Sequence, residues 1–188
     1  MTTTIQSGMQ SGTQSTMQSK EKQTYCIVTA VKDETGALMR ILNVLTSRNY
    51  NISTVNATLV DVEKRITRVT LFSELDQNTA NLIAKKIANI ISVINVSVFA
   101  YNGEYLENEA SLIKVKGNKE TISNAINVAY KHGAMVANIT EDTVVFSYSG
   151  SSEKINALIQ SLQHFGIAEV SRSGAIAMES GNKILPLV

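Results

Sequence analysis

Few residues in this chain have the chemistry of a catalyst. One thiol, Cys26, and two imidazoles, His132 and His164, are the candidates for nucleophile and base. An activated nucleophile needs a base within hydrogen-bond reach. Cys26 falls at an alternating position of a predicted strand, where a free cysteine is ordinarily a core residue. Both histidines fall at predicted helix C-termini, where the helix dipole favours an imidazolium and a structural role suffices. The acidic residues lie in turns and on polar helix faces, and no phosphate-binding or dinucleotide loop follows any strand. The segment from Lys32 to Arg40 has more to offer. There Asp33-Glu34-Thr35-Gly36 leads from a strand into a helix. A helix N-terminus with exposed N–H groups favours an anion such as a carboxylate, and a glycine at its opening allows close approach. The same residues also read as a plain cap, with Asp33 or Thr35 satisfying the first turn.

Composition narrows the classes of function. The chain has 188 residues, 44% hydrophobic and 18% charged, which suffices for a packed core. No apolar run approaches the ~18 residues of a spanning helix, so no membrane is expected. Seventeen basic and sixteen acidic residues leave a net charge of +1, which argues against electrostatic capture of nucleic acid. One cysteine and two histidines argue against a disulfide framework or a zinc centre.

The elements that must position the Lys32–Arg40 turn follow from periodicity. Residues 1–23 are rich in Ser, Thr, Gln, Gly and Met, lack an apolar period, and are expected to be a disordered tail. Neither a signal peptide nor an Arg-rich transit peptide fits them. From Tyr25 to Val31 a nearly unbroken apolar run predicts a strand buried on both faces. Ala37, Leu38, Ile41, Leu42 and Leu45 form a helical stripe. Ile52–Val60 and Arg65–Phe72 alternate across a short polar turn and predict a hairpin. A helix over about 78–90 and a strand over Val93–Ala100 complete the order β-α-β-β-α-β. Residues 101–110 are polar and read as a linker. The same order then repeats: a strand at Leu112–Lys116, a helix through Ile122, Ala125, Ile126 and Ala129, a hairpin of Met135–Thr140 and Thr143–Tyr148, a helix through Ile155, Leu158, Ile159 and Leu162, and a strand at Ile167–Val170. The fold class expected is α+β, two ferredoxin-like βαββαβ domains over 24–100 and 111–188.

Asp33-Glu34-Thr35-Gly36-Ala37-Leu38-Met39-Arg40, followed by Ser47-Arg48-Asn49-Tyr50-Asn51-Ile52, resembles the ACT domain of the small regulatory subunits of acetolactate (acetohydroxyacid) synthase. Thr67–Leu71, Leu112–Val115, Arg172-Ser173-Gly174 and Gly181-Asn182-Lys183 resemble further stretches of that family in the correct order. The resemblance implies an ACT domain over 24–100 and a non-catalytic, cytoplasmic subunit. Its partner would be the catalytic large subunit, which carries thiamine diphosphate, Mg and FAD. It also implies a homodimer through the ACT domains and feedback inhibition by a branched-chain amino acid such as valine, in isoleucine, leucine and valine biosynthesis. By family analogy the effector lies between two chains. One contributes Asp33, Gly36, Ala37, Leu38 and Met39, and the other contributes Asn51 and Ile52. Gly36–Leu38 N–H groups would take the carboxylate, Asn51 or Asp33 the ammonium, and Leu38 and Ile52 the side chain.

Four positions depart from the family pattern. Asp33 stands in place of Asn, Met39 in place of a small residue, Asn49 in place of Gly, and Asn108 in place of Arg. Asn49 tolerates the left-handed geometry its turn needs. The first two predict a subunit that activates its partner yet binds valine weakly or prefers another amino acid. The alternative reading is a free-standing amino-acid-sensing ACT protein with a different partner.

Overall fold

The computed structural model describes residues 22–100 and 105–186. The tail expected over residues 1–23 therefore lies outside the described residues, apart from Lys22 and Gln23. In chain order the elements are β1 (Gln23–Lys32), α1 (Ala37–Thr46), β2 (Thr54–Asp61), β3 (Ile66–Leu75), α2 (Gln77–Ala88) and β4 (Val93–Ala100). They continue with β5 (Tyr105–Lys116), α3 (Lys119–Lys131), β6 (Met135–Ile139), β7 (Thr143–Gly150), α4 (Ser152–Leu162), β8 (Ile167–Arg172) and β9 (Ile176–Glu179). Two antiparallel sheets result, ordered β2-β3-β1-β4 and β6-β7-β5-β8, with β9 added to β5. This is the expected α+β arrangement of two ferredoxin-like units.

β1 is central in the first sheet, and its apolar run is buried on both sides. Tyr25, Ile27 and Val31 face α1 and α2, packing with Ile41, Leu45, Ile83 and Ile87. Each such aliphatic side chain contributes ~1.5–3 kcal/mol on burial. The second unit repeats the arrangement, with Ile113, Phe146, Leu158 and Leu162 at its centre. Three helices open with a capping side chain: Asp76, Asn118 and Ser151 each accept an N–H from three residues on. Asn49 takes the left-handed conformation, φ 58°, so the turn into Tyr50 is made as its residue type predicts.

The other face of β1 departs from the expected layout. β5 begins at Tyr105, seven residues before the predicted strand, so 105–110 are strand rather than linker. Residues 105–108 pair with β9, while 109–116 pair with β7. This two-stranded extension lies under the first sheet. Tyr105, Ala175 and Ala177 pack there on Cys26, Val28, Phe72 and Phe99, and the Tyr105 ring sits 6.2 Å from that of Phe72 and 5.9 Å from that of Phe99. The stretch Gly174–Met178, for which the sequence leaves open closing the second sheet or helping assembly, pairs with β5 and closes the underside of the first unit.

β8 and β9 run along the same strand of the second sheet with a one-residue step between them. Ser111 faces Arg172, but Asn108 faces Ile176. Gly174 occupies the step at φ 76°, a conformation that suits glycine.

Candidate effector site

The cleft at the start of α1 is built by a strand that the helix leaves uncovered. β2 is the outer strand, and Val55, Ala57 and Leu59 register with Leu71, Val69 and Thr67 of β3. They share the helix-side face, yet Val55 and Leu59 remain 36% and 43% exposed. Between this overhang and α1 lies a cleft of about 380 Å³, with Val31, Ala57, Leu59 and Val69 as its apolar floor. Asp33, Gly36, Ala37, Leu38 and Met39 all line it. Five of the seven predicted residues therefore meet around one opening. Asn51 and Ile52 lie outside it, ahead of β2. The Asn51 carbonyl accepts from Ser73 Oγ at 2.6 Å, and Ile52 packs against the first core.

The mouth of the cleft is polar and its charges are arranged in pairs. Asp33 Oδ2 lies 3.3 Å from Arg65 Nη2, and the Asp33 N–H donates to the Arg65 carbonyl at 2.7 Å. Glu34 lies 3.6 Å from Arg40. Both pairs are exposed and add little to stability, but they hold the two carboxylates at the rim. Met39 is 59% exposed, so its bulk borders the cleft without plugging it. The capping alternative is not realised: Gly36 is the N-cap residue at φ 80°, and neither Asp33 nor Thr35 caps the helix. The first turn of α1 also carries no acidic residue. The Ala37 N–H donates to the Glu34 carbonyl at 3.0 Å, and the N–H groups of Leu38 and Met39, among the orphans of a helix start, meet no side-chain cap.

The nucleophile and base candidates are elsewhere. Cys26 is fully buried. Burial, with Glu107 nearby, pushes its thiol up to about 12 against a small opposing effect of Arg68. His132 is the C-cap residue of α3 and meets Ser161 Oγ at 3.0 Å. His164 lies in the single 3-10 turn after α4, its ring 3.9 Å from Phe165. Among the described residues no three His, Cys, Asp or Glu side chains gather as a metal site would require.

A second, larger cleft of about 590 Å³ opens between the two units, around Glu109, Arg172 and the start of β2. Residue-by-residue reading missed its organisation. The one signal for it was Arg172-Ser173-Gly174, seen as part of a pattern and not as a partner of Glu109.

Comparison with known proteins now bears on this geometry. Residues 108–181 match the family model described as small subunit of acetolactate synthase. The acetolactate synthase small subunit of Bacillus subtilis is 28% identical over 158 residues, covering 84% of this chain and 91% of that protein. The probable acetolactate synthase small subunit of Methanothermobacter thermautotrophicus is 28% identical over 167 residues, covering 88% and 98%. The chain resembles the acetolactate synthase small subunits over most of its length. The crystal structure of the acetolactate synthase small subunit from Thermotoga maritima shares its fold, with a TM-score of 0.78 at 20% identity over 86% of this chain and 99% of that one. The small-subunit relatives and the family model together span both units. The two ferredoxin-like units thus belong to one shared fold.

Proposed function

We propose that this chain is the non-catalytic regulatory subunit of an acetolactate synthase, that it binds and activates the catalytic large subunit, and that it carries an amino-acid effector site at the start of α1. The observation that carries this reading is the likeness to proteins named acetolactate synthase small subunits, which covers 84–88% of this chain and 91–98% of the two relatives described above. The large subunit would bring the thiamine diphosphate, Mg and FAD, and the pair would work in the cytoplasm. The chemistry of this chain is then recognition alone.

The cleft supports an α-amino acid as effector. A helix start without a side-chain cap favours a carboxylate, the rim carboxylate of Glu34 suits an ammonium, and the floor suits a small branched side chain. Discrimination by such a floor is worth only ~1–3 kcal/mol per methylene. The outer strand β2 is uncharged from Thr54 to Val60, an edge without the usual protection against pairing. A second copy paired there would bring its own Asn51 and Ile52 to the assembly and complete the site.

The test is an acetolactate synthase assay of the cognate large subunit with and without this chain, across a valine titration. Activation with inhibition by valine supports the whole reading. Activation without inhibition retains the subunit and removes valine as effector. No activation moves the reading to a free-standing amino-acid sensor.

A further inference from the structure

We infer that Glu109 is a positioning residue: by anchoring the Ser173–Ala175 step it lets the second unit hold in place the start of β2 and the Asn51–Ile52 segment just ahead of it. Glu109 is only 4% exposed, yet it is a carboxylate. Four donors converge on it. Arg172 Nε donates to Oε1 at 3.0 Å and Arg172 Nη2 to Oε2, Ser152 Oγ donates to Oε2 at 3.0 Å, and the Gly174 N–H donates to Oε1 at 3.2 Å. Arg172 Nη1 also reaches Asn156 Oδ1 on α4 at 2.8 Å. One buried side chain therefore joins β5, β8, the first turn of α4 and the step before β9. Burial at this depth without such donors would be costly.

The step is pressed against the first unit. A Cβ on Gly174 would stand 3.0 Å from Thr54 Cγ2 and 3.3 Å from the Val55 carbonyl. The Ser173 carbonyl accepts from Asn56 Nδ2 at 3.4 Å. Thr54 and Val55 open β2, two and three residues after Ile52. From the other side the segment has the Asn51 carbonyl bonded to Ser73 Oγ at 2.6 Å and the Ser53 N–H bonded to Phe72 O at 2.9 Å. The start of β2 is thus held between β3 and the Glu109-anchored step, with Asn51 and Ser53 tied to β3 just ahead of it. Because Glu109 lies where β5 passes from covering the first unit to joining the second sheet, a displacement of α4 or β8 reaches β2 through this carboxylate. The consequence for effector binding rests on the reading above, whereas the mechanical link does not.

The experiment is amide hydrogen exchange on the full chain, wild type against Glu109→Gln, Gly174→Ala and Asn56→Ala, with Lys114→Gln as a surface control on the same strand. A glutamine turns an NH2 toward donors that need an acceptor, and the alanine at 174 is strained by φ and by contact. Exchange over residues 51–56 and 173–177 is expected to rise about tenfold in the first two variants and less in the third, with α1 and α3 unchanged. Calorimetry with valine as probe is expected to weaken in the same order, and Glu109→Asp is expected to restore part of both. Wild-type exchange over 51–56 in Glu109→Gln and Gly174→Ala would overturn the inference. Should Glu109→Gln fail to fold, Gly174→Ala and Asn56→Ala decide it. Absence of valine binding in the wild type counts against the effector reading alone, since the exchange result stands without it.

Discussion

Arg68 of β3 donates from Nη2 to the Ala177 carbonyl of β9 at 2.8 Å, across 109 positions of sequence. Arg68 belongs to the first sheet and Ala177 to the strand that closes its underside. Partial burial lowers the guanidinium's pKa from its ordinary value, with the nearby Cys26 acting the other way. Replacing Arg68 by Ala removes a charge-assisted bond and leaves the Ala177 carbonyl without that donor. The expected cost is about 2 kcal/mol, read as a lower urea midpoint, with proteolytic nicking appearing first between residues 173 and 186.

Cys26 is predicted to be chemically silent while the chain is folded. Its thiol is pushed up to about 12, and the thiolate is the reactive form. A thiol reagent at pH 8 should label no native protein over hours and one group per chain after denaturation. Rapid native labelling would mean that the layer of Phe72, Phe99 and Tyr105 opens readily.

Glu109 should make the stability of the fold sensitive to acid. Burial alone would raise its pKa, but hydrogen bonds from Arg172 and Ser152 outweigh that and hold it below the ordinary 4.5. A carboxyl depressed in the folded state contributes stability that is present above the ordinary carboxylate range. That stability is lost as pH falls through the range toward the folded value. The urea midpoints of wild type and Glu109→Gln should therefore differ most near neutrality and converge as pH drops below about 4. A constant gap across that window would show that the carboxylate's charge is not what the site uses.

Asp33→Asn should strengthen valine binding. The substitution removes a negative charge beside the helix start where the effector carboxylate would sit, a relief of about 1 kcal/mol at ~4 Å in water. The exposed pair with Arg65 that it sacrifices is worth little. Calorimetry should show a gain of about fivefold, that energy expressed as a ratio. Weaker binding would instead assign Asp33 to the ammonium.

Much of this architecture was legible because its signals are local. The run Tyr25–Val31 announced a strand buried on both faces, and Asn49 suited the left-handed turn it makes. The start of α1 was placed at Ala37, where it is found. The extension at Tyr105–Ala110 was not legible. Its alternation puts Tyr105 and Glu109 on the buried side, and a buried-side glutamate reads as solvent-facing until its arginine is found 63 positions later. The candidate site was legible as a turn, and its emptied cap was not. Asp33 has the right side chain for capping, but it lies three residues ahead of the N-cap position Gly36 and pairs instead with Arg65 from the β2–β3 turn. Asn51 and Ile52 cannot be brought to the cleft by any reading of one chain, because β2 carries them to the other end of the sheet.

The sharing of β5 sets the unit in which such proteins can be recombined. A cut after residue 100, where composition invites it, would strip the first unit of Tyr105, Ala175 and Ala177, the floor beneath Phe72 and Phe99. A transplanted first unit needs Tyr105–Ala110 and Ala175–Glu179 from the same parent, although most of the second unit lies between these segments. The two repeats of this fold are therefore not interchangeable modules: the second carries part of the first's interior, and an exchange between relatives succeeds only when both segments travel together.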